Sequence, residues 1–158
     1  MQPHLIRQIV VEMRSRLVGR AAGRIFQLNP YALAFDFGLK GTYLFVSVDP
    51  AASRFHLIVR KLRELEKQST SLSHFGQSLL AKLGSGRLLS IEQDRKDRVV
   101  QFSFRVVDEL GSLHFRRMIV QLTGRAANLL LLDELDHRHA QPVLTHRLEV
   151  VVVELTVD

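Results

Sequence analysis

The feature that most constrains this chain is period-two alternation interrupted by very short turn signals. Across Val99 to Val107, the apolar Val100, Phe102, Phe104 and Val106 alternate with Gln101, Ser103 and Arg105. Such a pattern puts an apolar face and a polar face on one strand. Asp108 to Ser112 reads as a turn, and Leu113 to Leu122 as the next strand. A connection this short joins antiparallel neighbours, because parallel strands need a crossover of about a dozen residues or more.

The same logic recurs along the chain. Arg24 to Leu28 predicts a strand and Asn29-Pro30 a turn. Tyr31, Leu33, Phe35 and Phe37 alternate with smaller or polar residues, which predicts a half-buried strand. Gly38 to Gly41 is a hairpin loop, followed by strands over Tyr43 to Val48 and Phe55 to Val59. Further strands are expected over Arg87 to Gln93 and Asn128 to Leu132, with Asp94-Arg95-Lys96 as a turn before the Val99 strand.

Two segments carry helical periodicity instead. Leu5, Ile6, Ile9, Val10, Met13 and Leu17 form one stripe from about Pro3, a good first-turn residue, to Val18, with Gly19 and Gly23 ending it. Ser73 is a candidate N-cap for a second helix over Phe75, Leu79, Leu80 and Leu83, closed by Gly84-Ser85-Gly86. The polar stretch from Arg60 to Ser73 reads as a surface connection, partly helical and mobile. The expected fold is α+β: mainly antiparallel sheets with two helices packed on or between them. Helix, Gly-Arg-Ile (Gly23 to Ile25) and hairpin are echoed by helix, Gly-Arg-Leu (Gly86 to Leu88) and hairpin. Duplication and coincidence both account for that echo.

Composition narrows the function classes. The 158 residues include no Cys, which removes disulfides, thiolate metal sites and cysteine nucleophiles together. No apolar run approaches the ~20 residues of a membrane helix, and the start carries no signal-like segment, so the expected compartment is the cytoplasm. Of 22 basic residues, 17 are Arg, and the net charge is +6. Arg pairs with phosphate in a bidentate way and stacks on bases. A GC-rich genome produces the same bias with no functional cause, and the two readings stand side by side.

No catalytic motif emerges. There is no G-x-S-x-G elbow, no P-loop, and no G-x-G-x-x-G after a strand. Asp36, Asp49 and Asp97 have no spacing that pairs them. His137, His139 and His146, near Asp133, Glu134 and Asp136, have ligand chemistry, but a solvated turn explains them better. No metal or cofactor is expected. Asp97-Arg98, beside Arg95, could accept from a base edge while Arg donates to phosphate. By residue chemistry alone, a turn salt bridge worth at most ~1 kcal/mol is the better reading. Thr123 to Asn128 reads first as a Gly-Arg-x-x-Asn structural corner, with Arg125 as a phosphate contact second.

An ordered set of pieces then carries a resemblance. They are Gly23 to Tyr31, Leu44 to Pro50, Arg54 to Leu57, the Phe75 to Leu83 helix, Gly86 to Gln93, Asp97 to Val100, Asp108 to Gly111 and Gly124 to Asp133. Together they resemble the N-terminal NFACT domain of the fibronectin-binding protein A family, the bacterial ribosome-quality-control factors. The resemblance implies a fold like the N-terminal domain of formamidopyrimidine-type DNA glycosylases. It implies a non-enzymatic RNA-binding role: recruiting tRNA to large ribosomal subunits with stalled peptidyl-tRNA, for C-terminal tailing of nascent chains. It implies tRNA recognition, at the anticodon end, by Asp97 and Arg98, the two residues that match the family's motif; Arg95 and Arg125 are further RNA-binding candidates on their residue chemistry alone. DNA and membranes are not expected partners, and glycosylase activity is not expected, because Pro3 follows Gln2 and its nitrogen is in a peptide bond. The NFACT-like domain is expected over residues 1–134, with a divergent tail over 135–158. The family name also suggests an alternative, a protein-interaction or adhesion module of the fibronectin-binding type.

Overall fold

A computed structural model describes residues 1–94, 98–123, 128–135 and 153–154. Helix α1 (Pro3–Leu17) leads into strands β1 (Ile25–Asn29), β2 (Ala32–Phe35), β3 (Thr42–Ser47) and β4 (Arg54–Val59). Helices α2 (Leu62–Gln68) and α3 (His74–Leu83) follow. Strands β5 (Arg87–Gln93), β6 (Val99–Val107), β7 (Leu113–Gln121), β8 (Asn128–Leu135) and β9 (Val153–Glu154) complete the described elements. The strands form two antiparallel meanders, β1-β2-β3-β4 and β5-β6-β7-β8-β9. The α+β class and its antiparallel character are as expected.

The α1 stripe buries Ile6, Val10, Met13 and Leu17, spaced 4-3-4 as one helical face requires. Pro3 opens the helix, where its missing N–H costs nothing. Arg14 Nε donates to the Ile91 carbonyl at 2.7 Å and ties α1 to β5. Ser73 caps α3 as expected, its hydroxyl accepting from Gly76 N–H at 3.1 Å. Leu80, placed by its spacing on the buried stripe, is instead 37 % exposed. Phe75, Leu79 and Leu83 complete the buried face without it.

The segment between α1 and β1 welds the two sheets. Gly19 N–H and Ala22 N–H donate to the carbonyls of Leu88 and Gly86, and Gly23 N–H donates to Asp36 beside β2. The inner faces meet in one core, where Phe37 stacks on Phe104 (6.2 Å between centroids) and Phe55 meets Phe102 edge-on (6.3 Å). A Cβ at Gly86 would lie 2.7 Å from Val106 Cγ2 and 2.8 Å from the Leu83 carbonyl, so only glycine fits this junction.

Two expectations need correcting, and a third gains no support. Three helices are described, not two: α2 occupies the stretch read as a surface connection. Only Leu65 of α2 is buried, so its sequence shows no apolar stripe. The strand read as half-buried is buried along all of β2. Leu65 covers its outer face in a small second cluster with Phe26, Ala34 and Tyr43. The likeness to a glycosylase N-terminal domain gains no support from the solved structures described below.

Candidate nucleic-acid interface

Register places several connections at one end of the five-stranded sheet. Gln93 of β5 pairs with Val100, Val99 pairs with Gln121, and Gln121 pairs with Asn128. The β5–β6 and β7–β8 connections therefore leave the sheet at the same end. Leu122 N–H donates to the Arg98 carbonyl at 2.7 Å, so the chain entering the second connection runs beside Arg98. The start of α1 reaches the same place, because Gln93 Nε2 donates to the Pro3 carbonyl at 3.0 Å.

Arg98 is exposed there. With Met1, Gln2 and Pro3 it lines an open depression of about 470 Å³. The first turn of α1 contains no acidic residue, and Gln2 supplies no side-chain cap, so N–H groups and the positive end of the helix dipole face this region. Guanidinium and helix N-terminus together suit an anion such as phosphate. Of the sequence-predicted site residues, Arg98 alone is placed. Arg95, Asp97 and Arg125 lie outside the described residues, as do His137, His139 and His146.

Other singled-out groups serve the fold. Asp36 Oδ1 accepts from Gly38 N–H at 2.8 Å, and Asp49 Oδ1 from Ala51 N–H at 2.9 Å, so each carboxylate builds its own turn. Arg24 pairs with Glu66 at 3.1 Å and lies over the Phe26 ring, while Arg87 donates to the Gly19 carbonyl. Among the described residues, no cluster of three or more His, Asp or Glu has metal-binding geometry.

One polar network escaped sequence reasoning. His114 sits between two carboxylates, with Nε2 2.8 Å from Asp108 and Nδ1 3.1 Å from Asp133. Arg116 Nε donates to the same Asp133 oxygen at 2.9 Å, and its NH1 reaches the Lys82 carbonyl in the last turn of α3. Burial works against ionising Asp133, but the Arg116 and His114 contacts outweigh it and hold its carboxyl below the ordinary range. Asp108 is lowered chiefly by His114, then by backbone N–H groups of its turn. Buried Arg116 and Asp133 sit opposite each other on β7 and β8, so the network clamps α3 to the sheet. The only sequence signals were the turn aspartate and a charged pair inside two apolar strands.

The comparisons with known proteins agree with this fold. The profile of the NFACT N-terminal and middle domains matches residues 4–138. The chain is 29% identical over 139 residues to Rqc2 homolog RqcH of Streptococcus pneumoniae, covering 84% of this chain and 24% of that protein. It is 25% identical over 124 residues to Rqc2 homolog RqcH of Bacillus subtilis, covering 77% and 21%. The chain thus spans about a quarter of the length of the curated relatives it matches. Among solved structures, the N-terminal part of the fibronectin/fibrinogen-binding protein of Streptococcus suis matches with a TM-score of 0.74 at 18% identity, covering 96% of this chain and 51% of that one. The N-terminal domain of fibronectin-binding protein PavA of Streptococcus pneumoniae matches with 0.72 at 25% identity, covering 83% and 51%. Sequence profile and fold lead to one conclusion: the chain belongs to the NFACT family, in the region of its N-terminal and middle domains.

Proposed function

We propose that this chain is a non-enzymatic, tRNA-binding domain of a ribosome-associated quality-control factor, acting in the cytoplasm. The match of residues 4–138 to the NFACT profile carries this reading. Its whole-protein context would be a large ribosomal subunit with stalled peptidyl-tRNA, where tRNA is recruited for C-terminal tailing. The domain would occupy residues 1–134, with 135–158 as a divergent tail. Asp97 and Arg98 would read the RNA, with Arg95 and Arg125 contacting phosphate. Supporting this, exposed Arg98 lies beside an uncapped helix start, and the connections carrying the other three leave the same end of the sheet.

The test is a titration with tRNA and a non-cognate structured RNA over a salt series. Arg98→Ala and Asp97→Ala are expected to weaken tRNA binding about tenfold each, the scale of one well-placed charged contact. Binding unchanged in both variants, or absent at low salt, overturns the assignment.

The alternative is a protein-interaction module of the adhesion type. It is favoured by the descriptions of the Streptococcus suis and PavA domains as fibronectin- or fibrinogen-binding. Saturable binding of fibronectin by the purified chain, with no tRNA binding, would select it.

A further inference from the structure

The face of the molecule formed by the first sheet carries a cleft that the RNA reading does not use. It has a volume of about 790 Å³, within the range of small-molecule sites, and lies between the β2–β3 loop, the end of β4 and the start of α2. Leu39, Val59 and Leu62 supply apolar surface, and Val59 and Leu62 are 73 % and 46 % exposed. Lys40, Arg60 and Lys61 line the same cleft, all exposed. Asp36 and Glu64 are its acids, and Asp36 is already engaged with Gly38 N–H.

Tyr43 is the unusual member. It is 5 % exposed, packs edge-on to Phe26 (5.9 Å between centroids), and lines this cleft. Its hydroxyl has no hydrogen-bond partner among the described residues. Burial raises the pKa of the phenol, the nearby Asp36 carboxylate raises it further, and Arg24 opposes them. A phenol that lines an open cleft can exchange water for an acceptor on a ligand. A donor at an apolar wall under a basic rim is matched by a planar, acceptor-bearing ring with an anionic substituent.

We propose that this cleft binds a nucleotide. The base lies against Leu39, Val59 and Leu62, an acceptor on the base takes the Tyr43 hydroxyl proton in a hydrogen bond, and the phosphate meets Lys40, Arg60 and Lys61. The same chemistry is offered by a free nucleotide and by one nucleotide of a single strand. The site is separate from Arg98, so its fate and that of the tRNA assignment are independent.

The experiment is a chemical-shift titration of the 158-residue chain with the four ribonucleoside 5′-monophosphates, a short single-stranded oligoribonucleotide, ribose 5-phosphate and polyglutamate. Saturable shifts around Tyr43 and Lys40 are expected from a monophosphate or the oligonucleotide, and which of the two produces them identifies the source. Tyr43→Phe keeps the ring and is expected to weaken that binding about fivefold, and Lys40→Ala with Lys61→Ala about tenfold. Arg98→Ala is expected to leave the shifts that the monophosphates produce at Tyr43 and Lys40 unchanged, since Arg98 does not line the cleft. The proposal is overturned if neither nucleotide source shifts these residues at about 10 mM, well above the Kd of even a weak site. It is equally overturned if ribose 5-phosphate or polyglutamate binds as well as the nucleotides, or if Tyr43→Phe binds like the parent chain.

Discussion

Arg116 and Asp133 show how a single residue pair can matter more than its sequence context suggests. Both are buried, and Asp133 is the carboxylate that pairs with Arg116, while Lys82 lies 3.8 Å from its other oxygen. Asp133→Ala strands the Arg116 charge and is expected to destabilise the fold by about 3–5 kcal/mol in denaturant titration. The pH dependence has a definite sign. Asp108 and Asp133 have lowered folded-state pKa values, so their stabilisation is fully present above the unfolded carboxylate value near ~3.9 and disappears as pH falls through the folded values. Melting temperature is expected to drop as pH is taken from about 5 to about 2, and Asp133→Asn to flatten that drop. At the Gly86 junction, Gly86→Ala pushes a methyl group against Val106 and the Leu83 carbonyl, with an expected loss of about 1–3 kcal/mol.

The elements differ in how openly the sequence announces them. β6 and β7 alternate cleanly and are joined by a turn whose aspartate accepts from Leu110 and Ser112 N–H groups, so they were legible from neighbours alone. α3 was legible through its Ser73 cap, and Ser73→Ala is expected to cost about 1 kcal/mol. α2 was not legible. It has one buried residue, and its chain exit is held by Thr70 N–H donating to the Gln27 carbonyl at 2.8 Å, a contact made far along the sequence. Leu65→Ala should expose this dependence: a loss of about 2–5 kcal/mol, with hydrogen-exchange protection falling first around α2 and β1.

At the scale of the whole molecule, the two sheets act as one unit because the Gly19–Arg24 segment bonds to both and aromatic side chains interlock between them. The Phe55–Phe102 contact is expected to yield a coupling of about 0.5–1.5 kcal/mol in a double-mutant cycle, because the rings belong to different sheets. What the sequence determined by itself was whatever depends on near neighbours: the α1 stripe, the hairpins, the helix cap, the antiparallel α+β class and the basic charge. The role expected of Asp97 and Arg98 came from family resemblance, because no spacing rule singles out an Asp-Arg pair. Only the tertiary structure decided which ends of strands share a face, that α1 begins beside Arg98, and that His114 lies between Asp108 and Asp133. It alone decided that Tyr43 lines a basic cleft. Those arrangements come from cross-strand register and from packing between sheets, which are set by contacts between residues far apart in the chain and leave no periodic mark on it.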